Sequence, residues 1–349
     1  MRSFWNGKRV LLTGHTGFKG AWLGMWLERL GATIAGISLE PVNKPNLFDL
    51  IKSESKITSF FHDIRDINGI ASIVRQFEPE IIFHLAAQAL VRESYKEPID
   101  TFSTNIMGTV NLLQAIRGVS SVKSAVLITT DKVYQNHELQ IPFKETDALG
   151  GHDPYSASKA ASEIAIDCFR MSFLNENNTA VASARAGNVI GGGDWSNDRL
   201  MPDAIRAWQS GSDFIVRRPD AVRPWQHVLE PLAGYITLAQ QLWAHPELEG
   251  AYNFGPSLHG DAAVRHVVER ANRAMGHGKT IFQTYIQGPH EASCLRLDTS
   301  KSRNLLNVCP KWTLDQAVDR TVAWYVAQSK GADARRLCYD DIAAFEGLQ

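Results

Sequence analysis

Tyr155 and Lys159 stand four positions apart in the run Tyr155-Ser-Ala-Ser-Lys159, and Thr129-Thr130-Asp131-Lys132 lies shortly upstream. On a helix this spacing puts a phenol and an ammonium on one face, about one turn apart. An ammonium beside a phenol favours the phenolate and lowers its pKa, which gives a base able to work near neutral pH. Thr130 adds a hydroxyl, Asp131 a carboxyl and Lys132 an amine, at the end of the apolar stretch Ala125–Ile128. One strand end and one helix start thus supply a base, an acid and a second base, more than simple alcohol oxidation needs. A Tyr and a Lys at this spacing also occur on exposed helix faces, and Asp131-Lys132 also fits a solvated turn. The decision rests on the elements around them.

The first of these is N-terminal. Lys8–Thr13 reads as a short strand, Gly14-His15-Thr16-Gly17-Phe18-Lys19-Gly20 as a glycine-rich turn, and Ala21–Leu30 as an apolar helix. A glycine turn between strand and helix lets the backbone approach a pyrophosphate, whose charge the helix N-terminus binds. Further strand-like runs are Thr33–Ile37, Ser59–His62, Glu80–Leu85, Ala125–Ile128 and Val181–Arg185, with helical patterns near 17–30, 66–77, 98–118 and 155–173. Such alternation predicts an α/β fold, a doubly wound parallel Rossmann sheet, with a smaller mixed α/β region at its C-terminal side. The expected division is a dinucleotide-binding part, 1–190, and a mainly substrate-binding part, 191–349. Phe214–Val216 and Ala251–Phe254 are expected to return to the sheets. Trp195, Trp208, Trp225 and Trp243 fall in the second part, where Trp225 reads as packing.

The bulk properties narrow the class. The chain has 349 residues and a net charge of −1, so no basic footprint points to nucleic acid. No apolar run reaches membrane-spanning length and no signal-peptide pattern opens the chain. Cys168, Cys294, Cys309 and Cys338 are scattered without metal spacing or a disulfide framework, and the histidines show no ligand spacing, so no metal is expected. These features suit a cytoplasmic protein.

The cofactor reading follows from the strand ends. Ser38-Leu39-Glu40 ends the second strand, where a polar or acidic residue contacts the adenosine ribose, and no arginine follows directly, although Lys44 is near. NAD is therefore expected rather than NADP. Asp63-Ile64 is placed either to meet the adenine or, through Asp63, to cap the next helix. Leu85-Ala86-Ala87-Gln88 has small residues that let a dinucleotide lie close. His15 is read as lining the loop.

Thr13–Gly20, His84-Leu-Ala-Ala87, Thr104-Asn105 with Gly108-Thr109, the Tyr155/Lys159 pair and Arg223-Pro-Trp225 together resemble the extended short-chain dehydrogenase/reductases that modify nucleotide sugars. Within that group the acid and base after Thr130 resemble the 4,6-dehydratases. The runs Asn6–Gly20, Pro45–Phe48, Thr130-Asp-Lys132 and Arg223–Val228 resemble the CDP-glucose 4,6-dehydratases. The resemblance implies conversion of CDP-D-glucose to its 4-dehydro-6-deoxy sugar in deoxysugar and lipopolysaccharide synthesis, with tightly bound NAD recycled each turnover. It implies catalytic roles for Thr130, Asp131, Lys132, Tyr155 and Lys159. Cofactor contacts are implied for Gly14, Thr16, Gly17, Phe18, Lys19, Gly20, Ser38, Asp63, Ile64, Leu85, Ala86, Ala87, Thr104, Tyr155 and Lys159. Substrate contacts are implied for Gln88, Asn188, Arg199, Arg223 and Glu291, with Arg217-Arg218 left as surface arginines. Asp131 stands as the acid of the elimination and Lys132 where the base stands; a Lys132 that orders a water, or exchanged roles, stays open. A homodimer or dimer of dimers packed through helices 98–118 and 155–173 is also implied. The alternatives are another nucleotide-sugar 4,6-dehydratase, a UDP-sugar 4-epimerase without use for Asp131 and Lys132, or a non-catalytic binding module.

Overall fold

The computed structural model describes residues 2–137, 141–175, 178–256, 261–283 and 295–347. Its centre is a seven-stranded sheet built from β1 (Arg9–Thr13), β2 (Thr33–Ser38), β3 (Thr58–Phe61), β4 (Ile81–His84), β5 (Ser124–Ile128), β6 (Ala180–Ala186) and β7 (Gly250–Phe254). Their order is β7-β6-β5-β4-β1-β2-β3, and every pairing is parallel. β4, β5 and β6 are buried along their whole length, which explains why β4 and β5 read as mainly apolar runs and not as alternating ones. The order reverses between β1 and β4, so their carboxyl ends diverge and open a crevice.

The helix Phe18–Leu30 buries Trp22, Leu23, Met25, Trp26 and Leu27 and ends at Gly31 in a left-handed conformation, φ 92°. It is apolar nearly all round because the C-terminal helix Ala334–Glu346 covers its outer side. There the Trp26 indole donates to Glu346 at 2.9 Å, and its ring meets Phe345 edge-on. The helix Pro154–Phe169 starts on a strong signal: Asp153 accepts from the Ser156 amide at 2.9 Å, and Pro154 fills the first turn.

The helical pattern expected over 98–118 is present: Pro98–Phe102 runs on into Gly108–Ile116 through a wide π-type turn, Ser103–Met107, which presents Asn105 to the interior. Asn105 accepts from the Gln88 amide at 2.9 Å and donates to Ser158 at 2.8 Å, so a polar contact overrides the regular 3.6-residue period. One expectation needs correcting: Ala251–Phe254 returns to the main sheet as part of β7, but Phe214–Val216 pairs with Thr280–Phe282 in a separate two-stranded sheet. Trp208 and Trp225 are core residues. Trp195 packs on Trp324 and Tyr325, and Trp243 lies under the Lys8 ammonium at 3.9 Å. The main hydrophobic cluster draws on both sides of residue 190, joining Trp5 and Val10 to Tyr235, Phe254 and Trp324.

Candidate active site

The crevice at the carboxyl ends of β1, β2, β4, β5 and β6 is a cleft of about 590 Å³. Its lining contains every residue expected at the site from the sequence except Arg223 and Glu291. Glu291 lies outside the described residues. Arg223 is buried, its Nη1 donates to the Val222 carbonyl at 2.9 Å, and its charge acts on both Asp131 and Lys132.

One end of the cleft fits a dinucleotide. Gly14 has φ 76°, and a Cβ there would lie 2.7 Å from the Ala86 amide nitrogen; a Cβ at Gly20 would lie 2.0 Å from the Gly14 carbonyl oxygen. The loop is therefore folded tightly on itself and on the end of β4, with no room for side chains. The helix behind it begins at Gly17 without a side-chain cap, which leaves its first amides aimed into the cleft and ready for a diphosphate. Thr16 and Ser38 share a hydrogen bond of 2.7 Å across the loop. Asp63 does not cap the following helix, because Asp66 does. Asp63 instead receives the Arg65 guanidinium, whose hydrogen bonds hold its carboxyl below the usual range. His15 is fully buried, contacts Ser59 at 2.9 Å, and is pushed down to about 4 by burial.

The other end carries the acid–base groups. Thr130 donates to Asp131 Oδ1 at 3.0 Å, while Asp131 Oδ2 is buried and has no partner among the described residues. Burial raises the Asp131 carboxyl, against the pull of Lys132, Thr130, Arg223 and Lys19. Burial likewise lowers Lys132, against the pull of Asp131. Lys159 donates to the Ile128 carbonyl at 3.0 Å and is lowered to about 8 by burial, opposed by Glu163. Lys19 is lowered to about 8 by burial, with Arg199 adding to the effect.

Tyr155 departs from the expectation. Burial dominates and pushes its phenol up; the cation that most counteracts this is Arg199, helped by the hydrogen bond that Tyr155 shares with Thr130. Helical spacing brought the two side chains to one cleft, but the Lys159 ammonium is turned toward β5. Gln88 also departs from its expected part. Its amide is occupied within its own turn, accepting from the Leu90 amide at 2.5 Å and donating to Thr101 at 2.9 Å. Arg199 reaches across the mouth to the Ala89 carbonyl at 2.9 Å.

Sequence reasoning missed Arg65, which joins Asp63 to Asp100 at the adenosine end, and Glu163, one turn beyond Lys159. Nothing in the spacing marked Arg65. Glu163 was legible as the i+4 neighbour of Lys159.

Comparison with known proteins agrees with this geometry. A family model described as GDP-mannose 4,6 dehydratase matches residues 11–321. The CDP-glucose 4,6-dehydratase of Salmonella typhimurium is 43% identical over 338 residues, 95% of this chain and 94% of the relative. Among solved structures, the Thermus thermophilus UDP-glucose 4-epimerase in complex with NAD superposes with TM-score 0.78 at 25% identity, covering 93% of this chain and 99% of that one. The Bacillus anthracis dTDP-glucose 4,6-dehydratase, also with NAD, superposes with TM-score 0.77 at 20% identity, covering 94% and 100%, and shares the fold.

Proposed function

The chain belongs to the GDP-mannose 4,6-dehydratase family, and on that premise we propose that it is an NAD-dependent hydro-lyase converting CDP-D-glucose to CDP-4-dehydro-6-deoxy-D-glucose and water. The observation that carries the reading is the buried Asp131-Lys132 pair on the same cleft wall as Thr130, Tyr155 and Lys159. Oxidation at one carbon uses Tyr155, Thr130 and Lys159 alone; an acid and a second base are needed only where water is eliminated. An epimerase has no use for them, which sets the 4-epimerase alternative second. The choice of CDP rests on the Salmonella relative.

Each residue has a step. Tyr155 accepts the proton of the sugar C4 hydroxyl, and Thr130 hydrogen-bonds that hydroxyl. Lys159 is assigned to the cofactor ribose, and Arg199 is the cation that most favours the Tyr155 phenolate. NAD, when held by the residues named below, would supply a reversible hydride acceptor, so that the hydride lost from C4 is regained at C6 without net oxidation, while the proton taken from C5 is given back to C5 by Lys132. The C4 ketone acidifies the C5 hydrogen. Lys132, whose amine burial pushes toward its neutral form, removes that proton, and Asp131, whose carboxyl burial pushes toward its protonated form, gives its own to the departing C6 hydroxyl. Desolvation thus biases both groups in the direction the elimination needs. Gly14, Thr16, Gly17, Phe18, Lys19, Gly20, Ser38, Asp63, Ile64, Leu85, Ala86, Ala87 and Thr104 are assigned to the cofactor, and Asn188 and Arg199 of the lining to the substrate diphosphate. Arg223, outside the lining but close enough for its charge to act on Asp131 and Lys132, is assigned to the same diphosphate.

We also read the chain as a homodimer or dimer of dimers. Ile99, Met107, Ile164 and Met171 are 84%, 49%, 62% and 70% exposed on the segments 98–107 and 154–174, an apolar face on helices otherwise packed against the sheet. Among the described residues no helix is long and apolar enough to cross a membrane, and a cytoplasmic location accords with the nucleotide-sugar substrate. The test is to incubate purified protein separately with CDP-, dTDP-, UDP- and GDP-glucose. Only CDP-glucose should give the 4-keto product efficiently, in many-fold excess over enzyme and without accumulating NADH. Stoichiometric NADH would refute the dehydratase reading.

A further inference from the structure

Behind the Tyr155–Lys159 wall lies a buried ionic network that meets the cleft lining only at Thr129 among its residues. Glu163 follows Lys159 by one helical turn on the same face. Its carboxylate accepts four hydrogen bonds: from the Thr129 hydroxyl, from Ser183 at 2.6 Å, and from Arg185 Nε and Nη2 at 3.0 and 2.9 Å. Arg185 Nη1 continues to the Tyr134 hydroxyl at 3.0 Å and the Glu145 carbonyl at 3.1 Å, and Tyr134 donates to Asn253 at 2.6 Å. Both charged side chains are 4% exposed.

The placement of this network has a purpose. Hydrocarbon side chains of similar volume fill such a space at least as stably as an ion pair. The network, however, links the helix of Lys159 to both flanks of the Thr130–Lys132 turn, through Thr129 before it and Tyr134 after it. It also lies next to a lysine that burial drives toward neutrality. The charged and titratable groups around Lys159 are Lys19 from the helix Phe18–Leu30, His84 from β4, Asp131 from the turn after β5, Tyr155 and Glu163 from its own helix, and Arg185 from β6 behind Glu163. His84 is held neutral by burial. Lys19 is a like charge. Glu163 is the anion whose field offsets the desolvation of Lys159.

We propose that Glu163 is a positioning residue for the hydride-transfer step: it ties the Lys159 helix to the turn that carries Thr130 and Asp131, and its carboxylate keeps Lys159 charged in a dry site. The inference rests on the reading of Lys159 given above, so the deciding measurement does not depend on turnover.

Lysine labelled with 13C at Cε reports its own titration by NMR, and the Lys159 signal is identified by its loss in Lys159→Arg. In Glu163→Gln the Lys159 midpoint should fall by roughly one unit or more, the scale of an opposite charge at close range. Glu163→Asp should keep the midpoint close to wild type. Tyr134→Phe, which breaks the same network at an uncharged point, should lower thermal stability and leave the midpoint in place. An unchanged midpoint in folded Glu163→Gln overturns the proposal, as does an equal shift in Tyr134→Phe. If Glu163→Gln does not fold, Arg185→Gln decides instead: it removes the cation that opposes Glu163, so the Lys159 midpoint should rise, and an unchanged midpoint in the folded variant overturns the proposal. In turnover, the alkaline limb of transient cofactor reduction on adding CDP-glucose should move down with the midpoint. A wild-type enzyme inactive on every nucleotide sugar would refute the functional reading, and the titration alone would then decide the inference.

Discussion

Replacing Gly20 with alanine adds one methyl group to a loop with no room for it. An ideal Cβ at position 20 lies 2.0 Å from the Gly14 carbonyl oxygen and 2.8 Å from both the Gly14 carbonyl carbon and the His15 Cα. Carbon contacts shorter than 3.0 Å essentially do not occur, so the loop must open by at least the difference, 3.0 − 2.0, or about 1 Å. All three obstructing atoms are backbone, so no side-chain rotation relieves the clash. The displaced atoms belong to the turn that sets the first amides of the helix Phe18–Leu30. A misplacement of about 1 Å costs on the order of 10²-fold. Losing one hydrogen bond to a charged phosphate, about 1.5–3 kcal/mol, gives a similar figure. We therefore expect NAD affinity to fall about 100-fold in Gly20→Ala, close to 2.7 kcal/mol. Titrating NAD into cofactor-free protein by calorimetry reads this directly, with circular dichroism to confirm that the fold persists. A folded Gly20→Ala that binds NAD as tightly as wild type would refute the argument that this turn cradles the diphosphate. Gly17→Ala is the companion. Its Cβ meets only the Gly14 oxygen, at 3.4 Å, so the protein alone accommodates it and any lost affinity reports contact with the cofactor itself.

Tyr155→Phe keeps the ring and removes the proton acceptor, so turnover should fall by roughly 10²–10⁴-fold with melting temperature little changed; wild-type turnover would show that Tyr155 is not the base. Lys132→Met keeps the apolar stem but cannot take a proton. On adding CDP-glucose it should still show transient NADH, but with slow C5–deuterium exchange and little 6-deoxy product; wild-type exchange would send the search for the base elsewhere. Arg223→Ala should weaken CDP-glucose binding by about 1.5–3 kcal/mol and leave NAD affinity unchanged, as calorimetry would show. His227 is fully buried and pushed down to about 3 by burial, so it stays neutral in the folded chain while the unfolded chain takes a proton below 6.5. Stability is therefore complete above 6.5 and is lost as pH falls toward 3. At pH 5 the loss is about 1.5 × 1.36, or about 2 kcal/mol. Urea unfolding at pH 7 and pH 5 should show a drop smaller by about that amount in His227→Gln; equal drops would mean that His227 does not titrate on unfolding.

Local order was legible in the sequence because local physics produced it. The strand–glycine turn–helix at the N-terminus, the strand end before Thr130 and the Asp153-Pro154 helix start are written in neighbouring residues. The Tyr155/Lys159 spacing fixed which face of one helix those side chains share. Tertiary structure decided what depends on distant partners. Asn105 reaches Gln88 and Ser158 from a widened, π-type turn within the expected helix. β7 joins the sheet beside β6 from the far end of the chain, while Phe214–Val216 pairs elsewhere. Above all, the protonation states of Asp131, Lys132, Tyr155 and Lys159 belong to the fold. Desolvation is the largest cause of all four shifts, and the walls that exclude water are assembled from segments far apart in the sequence. Sequence spacing names the groups that can exchange protons; burial determines which of them hold one.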